Sequence, residues 1–192
     1  MGSYRFRKNS DAFTVYCSSM IGGTMNDLEA FRTEKDEFFG SHPQSPLTQE
    51  QRKDFHGLNY YPENDALRLE VQVDEFPVKH SFEMHTSTGS IQIYEKFGKF
   101  SFTVDGLKVQ LTIYQGQHGF FLPFVDSLAG KVTYPAGRYL EPVPLPDGRF
   151  LVDFNIAYNP YCAYNEMWSC PITPSENRLM VEVRAGEKLF HE

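Results

Sequence analysis

Apolar and polar residues alternate from Leu67 onward: Leu67, Leu69, Val71 and Val73 are separated by Arg68, Glu70 and Gln72. A period of two puts one set of side chains on one face, which predicts a half-buried strand starting near Ala66. The same period runs through SIQIYEKFGKFSFTVDGLKVQLTIY, with Phe100, Phe102 and Val104 before Asp105-Gly106 and Leu107, Val109, Leu111 and Ile113 after it. A two-residue Asp-Gly turn sets Val104 opposite Leu107, Phe102 opposite Val109 and Phe100 opposite Leu111, so these apolar side chains share a face. A second turn at Phe97-Gly98 sets Ile93 opposite Phe102 and completes a three-stranded antiparallel meander. GFFLPFV and RFLVDF predict shorter strands, LMVEV ends the core, and the proline-rich run from Pro142 to Gly148 reads as a stiff exposed hairpin tip.

Before these strands the period is helical. In MNDLEAFRTEKDEFFGSHP, Asn26 with Glu29 three residues on suits a helix start, and Leu28, Phe31, Phe38 and Phe39 fall near one face. Gly40 and Pro43 stop it. A second short helix is predicted through Thr48 to Lys53, capped by Thr48 with Gln51 three residues later. With order expected from Met25, residues 1–24 are predicted to be a flexible extension, a short strand through Phe13 to Tyr16 being the alternative, and residues 25–192 a single domain. The predicted class is mainly β: one antiparallel β-barrel-like or sandwich domain with an N-terminal helix, the barrel being preferred because many short strands follow closely.

Composition narrows the function. In 192 residues, 41% hydrophobic and 15% aromatic content is enough to fill one sizeable core. A formal charge of -7, with no cluster of Lys and Arg, argues against nucleic acid and anionic membranes as partners. No run approaches the roughly 20 apolar residues of a membrane span. The basic start resembles that of a signal peptide, but Asp11 and Cys17-Ser18-Ser19 interrupt the apolar stretch such a peptide needs. Three cysteines do not make a disulfide scaffold, so free thiols in a reducing cytoplasm are expected.

Candidate chemistry lies in two segments without strand or helix period, DSLAGKVTYPAGRY (Asp126 to Tyr139) and DFNIAYNPYCAYNEMWSCPITPSEN (Asp153 to Asn177). In the first, Lys131 and Arg138 offer positive charge and Tyr134 and Tyr139 offer hydroxyls, which suits a small anion; alternatively Arg138 pairs with Asp126 or Asp153 and pins the loop to the sheet. GKVTY lacks the features of a phosphate-binding glycine loop, so no nucleotide is expected there, and no cofactor is predicted. In the second, residues before Pro160, Pro171 and Pro174 are held extended, and Asn155, Asn159, Asn165 and Asn177 can satisfy a buried irregular backbone. Cys162 and Cys170 are open to three readings: metal ligands, disfavoured by their spacing; a disulfide, disfavoured by compartment; or a nucleophile needing a base, for which His80, His85 and His118 are the candidates. His80 and His85 stand an odd interval apart along one strand and so face opposite ways. Packing in a stiff loop is expected to keep both thiols protonated and slow to react unless Arg138 points at Cys162. Asp126, Asp153 and Glu176 are the carboxylates available for acid-base work.

ALRLEV after GLNYYPEND, then TSTG, YEKFGKFSFTVDG, FLPFVDSLAGKVTYPAGRYLE, DFNIAYNPYCAYNEMWSCPITPSENRL and VEVRAGEK together resemble the DUF1684 family of bacterial and archaeal proteins, over about Glu29 to Lys188. Many ordered motifs agree, so the resemblance is specific. The family is defined by sequence and has no assigned activity, so the resemblance implies a domain extent and a set of positions. These are Asp126, Gly130, Tyr134, Gly137, Arg138 and Tyr139, and Asp153, Asn155, Tyr158, Asn159, Pro160, Cys162, Cys170, Pro171, Glu176 and Asn177. Ser127-Leu128 departs from the more usual Ala-Thr pair. The functional expectation is a pocket for a small molecule, an anion among the candidates, built by residues 126–139 and 153–177. It competes with an interaction module whose polar loops satisfy themselves, and with a hydrolase using carboxylates or Cys162.

Overall fold

A computed structural model describes residues 4–9, 12–17 and 25–190. The chain divides into two compact units, residues 1–58 and 59–192, whereas the sequence pattern placed a boundary at residue 25.

In the first unit, β1 (Tyr4–Asn9) pairs antiparallel with β2 (Ala12–Cys17). The flexible extension expected for residues 1–24 falls partly outside the described residues. The part that is described forms two strands, the second containing the alternative strand at Phe13 to Tyr16. Helix α1 (Met25–Ser41) starts at Met25, so Asn26 lies within its first turn rather than at its cap. Leu28, Phe31 and Phe39 are buried, and Phe39 stacks on Phe55 with ring centroids 6.4 Å apart. Helix α2 (Gln49–Lys53) carries the expected capping box: Gln51 N donates to Thr48 Oγ1 at 3.2 Å, and Thr48 N to Gln51 Oε1 at 2.8 Å.

The second unit is antiparallel β. It contains β3 (Arg68–Val71), β4 (Asp74–Glu75), β5 (Ser81–His85), β6 (Ile91–Val104), β7 (Leu107–Gly116), β8 (Gly119–Phe124), β9 (Arg138–Leu140), β10 (Val143–Pro144) and β11 (Phe150–Asp153). A larger sheet runs β4-β6-β7-β8-β9 with β5 also on β6, and a smaller one runs β10-β11-β3. Among the described residues no pairing closes either sheet, so the preferred barrel is not found. The core draws on both: Val71, Phe150 and Val152 from one, and Phe100, Phe102, Leu111, Ile113, Leu122, Phe124 and Leu140 from the other. LMVEV contributes Leu179, Val181 and Val183 to it without forming a strand, while Met180 between them is 90% exposed.

The Asp-Gly turn has the predicted register, Val104 with Leu107, Phe102 with Val109 and Phe100 with Leu111. The second turn does not exist. β6 runs unbroken through Phe97-Gly98, where the pairing shifts between Lys96 and Gly98, and Ile93 stands opposite Glu83 of β5. Gly98 serves close approach rather than a turn: a Cβ there would lie 2.7 Å from the Asp74 carbonyl oxygen, the backbone of β4. The bulge inserts one residue, which reverses the parity of the strand. Beyond it the even-numbered Phe100, Phe102 and Val104 face the core. Before it the even-numbered Lys96 pairs with Tyr114, on the opposite face from Leu111 and Ile113.

Candidate functional site

That opposite face of the larger sheet is aromatic. Tyr94 stacks on Phe121 at 5.3 Å between centroids, Phe121 meets Tyr139 edge-on at 4.9 Å, Tyr139 meets Tyr158 edge-on at 5.9 Å, and Phe82 lies 5.3 Å from Tyr114. Gly116 makes room for Tyr94, since a Cβ would come within 3.0 Å of Cε1 of the ring. The irregular segment from Tyr158 to Asn177 is fastened to this face. Tyr139 and Tyr158 exchange backbone hydrogen bonds at 2.8 and 3.1 Å, the Tyr139 hydroxyl donates to the Pro171 carbonyl, and Ile172 N donates to the His85 carbonyl at 2.7 Å. Asn177, 0% exposed, completes the attachment: its side-chain NH2 donates to the Thr112 and Pro123 carbonyls at 2.8 and 2.7 Å, and its oxygen accepts from Thr112 N at 2.8 Å.

Arg138, Tyr134, Asp153 and Asn159, the polar residues expected to share one pocket, are engaged in separate places. Arg138 is 1% exposed and holds the C-terminal segment: Nη1 donates to the Ala185 and Glu187 carbonyls and Nη2 to the Val183 carbonyl at 2.9 Å. Nη2 also pairs with Asp126 Oδ2 at 3.1 Å, and Asp126 accepts from Thr133 Oγ1 at 2.7 Å and Val183 N at 3.1 Å. Burial pushes the Arg138 pKa down and Asp126 opposes it. This is the loop-pinning alternative, with Asp126 as the partner; Arg138 does not serve an open anion pocket. Asp153 accepts from Arg68 Nε at 3.0 Å and from Asn155, whose amide in turn clasps the backbone of Asn64. Asn159 donates to Glu187 Oε2 and the Lys188 carbonyl, both at 2.8 Å, and its side-chain oxygen is buried without a hydrogen-bond partner. Glu176 accepts from Lys96 and from the Tyr114 hydroxyl at 2.7 Å; burial pushes its pKa up, but these hydrogen bonds outweigh it and hold the carboxyl below its ordinary value. The three carboxylates proposed for acid-base work are thus each tied to a cation.

The structure does bring together Cys162, Cys170, Tyr134 and Ser87. Cys162 is the middle residue of a one-turn 3-10 helix (Tyr161–Ala163) that follows Pro160, and its backbone N–H donates to Cys170 Sγ, 3.2 Å away. Tyr134 donates its hydroxyl to Cys162 Sγ at 3.7 Å. Ser87 comes from the turn between β5 and β6: its N–H donates to the Cys170 carbonyl at 2.9 Å and its hydroxyl accepts from Cys170 N at 3.1 Å. Thr88 and Ser169 hydroxyls, 2.6 Å apart, tie the same turn to the same segment. Cys162 is partly exposed, whereas Cys170 is 6% exposed.

Both thiols were expected to stay protonated, whereas the surroundings of Cys162 favour its thiolate. The hydrogen bond from Cys170 favours the Cys162 thiolate, desolvation opposes it, and the Tyr134 hydroxyl adds to the first effect; together they lower the pKa to about 7. Cys170 moves the other way, raised first by its hydrogen bond to Cys162 and then by burial. The pair therefore releases its first proton readily and holds the second tightly. The cause is a neighbouring thiol and a phenol rather than Arg138. Ser87 escaped the sequence reading as a site residue, although the TSTG motif that carries it was noticed, and Tyr94 was likewise missed.

A family model described as a protein of unknown function (DUF1684) matches residues 53–188. Among solved structures, the chain is similar to an uncharacterized protein of Haloarcula marismortui determined by solution NMR: 38% identity, a TM-score of 0.67, and coverage of 87% of this chain and 95% of that one. No curated protein matches. Among the described residues no helix is long and apolar enough to cross a membrane, and no group of His, Cys, Asp and Glu is arranged to hold a metal ion.

Proposed function

The chain belongs to the DUF1684 family, as its ordered motifs indicated, and because membership brings no reaction with it we propose from geometry that the protein binds a small molecule through the Cys162 thiol. The observation that carries this reading is the hydrogen-bonded trio of Tyr134, Cys162 and Cys170, in which the sulfur of lowered pKa is also the more exposed one. A nucleophilic or ligand-holding sulfur needs both properties, and a thiol packed for structure alone needs neither. Tyr134 supplies a hydroxyl that steadies the thiolate and can shift to a bound oxygen. Tyr139 lies close enough for its pKa, raised mainly by burial, to respond also to both thiols.

The anionic ligand considered from the sequence is not part of this proposal, because Arg138, one of the two cations it relied on, is enclosed with Asp126 and three carbonyls, and the other, Lys131, is exposed. A small neutral electrophile, or a molecule presenting a sulfur, fits the site better, since a soft thiolate is its distinctive group. A thermal-shift screen of small electrophiles and sulfur-containing metabolites tests this. Hits that stabilise the wild-type chain and are lost in Cys162→Ser support the proposal; hits that all survive the substitution overturn it.

A further inference from the structure

We infer that Cys162 and Cys170 form a redox couple that reduces low-molecular-weight disulfides, with Cys162 as the attacking thiol and Cys170 as the resolving one. This rests on Cys162 being the reactive group of the site. Its support is the arrangement around the two sulfurs: Cys170 Sγ accepts a hydrogen bond from the backbone nitrogen of Cys162 at 3.2 Å, Cys162 Sγ accepts one from the Tyr134 hydroxyl, and both thiols are free. One sulfur is partly exposed and the other is buried behind it, the division of labour that thiol–disulfide exchange requires. The segment between them is held at both ends, by the 3-10 turn after Pro160 and by the Ser87 hydrogen bonds to Cys170, so the sulfurs stay together through the cycle.

In the first step the Cys162 thiolate attacks one sulfur of a disulfide R–S–S–R. A new S–S bond forms to Cys162, the substrate S–S bond breaks, and one RS⁻ leaves with the bonding electrons. In the second step Cys170 attacks Cys162 Sγ, forming the internal disulfide and expelling the second RS⁻. The two thiols lose two electrons and two protons, and R–S–S–R takes them up as two RSH. Once Cys162 is in the mixed disulfide its thiolate charge is gone, so the loss of a proton from Cys170 is no longer opposed by a neighbouring thiolate. A return to the dithiol state requires an external dithiol or thiol pool as reductant.

The test uses the full chain with Cys17→Ser, equilibrated in graded mixtures of reduced and oxidised glutathione, quenched in acid and digested with trypsin. Cys162 and Cys170 lie on one tryptic peptide, residues 150–178. The expected result is that this peptide loses two hydrogens in oxidising mixtures and regains them in reducing ones, and that Cys170→Ser instead accumulates glutathione on Cys162 with complete loss of the internal disulfide. A stable glutathione adduct on Cys162 when Cys170 is intact would overturn the redox couple while sparing the reactive thiol. Absence of any change at Cys162 would overturn both.

Discussion

The guanidinium of Arg138 shows why residue type is a poor guide to role. It was the most attractive ligand contact in the sequence, yet it lies 1% exposed among the Val183, Ala185 and Glu187 carbonyls and the Asp126 carboxylate. Replacing it leaves the buried Asp126 carboxylate without its cation and those carbonyls without the guanidinium donors. Breaking one side of a buried pair costs about 3–5 kcal/mol. Arg138→Met is therefore expected to lower the unfolding free energy obtained from a urea titration by an amount in that range. Wherever the variant remains folded, Cys162 should be alkylated at the wild-type rate, because nothing in the trio of Tyr134, Cys162 and Cys170 touches Arg138. A chemical role for Arg138 would show the reverse: modest loss of stability and a large change at the thiol.

Elements differ in how far the sequence declared them, and β6 holds both extremes. Its pairing with β7 through Asp105-Gly106 was legible because a two-residue turn and strict alternation are local signals that agree. The bulge at Phe97 was not, since an aromatic followed by glycine reads as a turn when the neighbouring strand that needs the glycine is out of view. Gly98→Ala would put a methyl group 2.7 Å from the Asp74 carbonyl oxygen and 2.9 Å from the Glu75 Cα, both backbone atoms that cannot rotate aside. Overpacking of this kind costs about 1–3 kcal/mol, and the variant should show that loss in denaturant titration, with faster amide exchange at Phe76, whose N–H is bonded to the Phe97 carbonyl at 3.0 Å. An unchanged midpoint would mean that β4 does not press on the bulge. The candidate site was legible in part for the same reason. Cys162, Cys170 and Tyr134 stood out as residues, but their grouping depends on the Ser87 turn and residues 126–139 arriving from elsewhere in the chain. Without a period in residues 158–177, nothing local revealed that this segment lies on the aromatic face of the larger sheet.

Within residues 59–192, the property assigned to Cys162 belongs to the assembled fold rather than to any one segment. Three stretches meet at the two sulfurs: the turn carrying Ser87, the loop carrying Tyr134, and the segment from Tyr158 to Asn177, itself anchored by Tyr139 and Asn177. The titratable groups acting there are Cys170, Tyr134 and Tyr139, with Glu166 near Tyr134. Of these, the hydrogen bonds from Cys170 and Tyr134 favour the thiolate and burial opposes it. The folded pKa is depressed, so the thiolate is populated at lower pH in the folded chain than in the unfolded one. The most direct measurement is the rate of iodoacetamide alkylation of Cys162 against pH, in the Cys17→Ser chain, folded and in concentrated urea. Folded protein is predicted to reach half its limiting rate near pH 7, with Cys170 labelled far more slowly, and urea should return the midpoint to the ordinary thiol value of about 8.5. A folded-state midpoint at or above that ordinary value, or equal labelling of the two cysteines, would contradict the account.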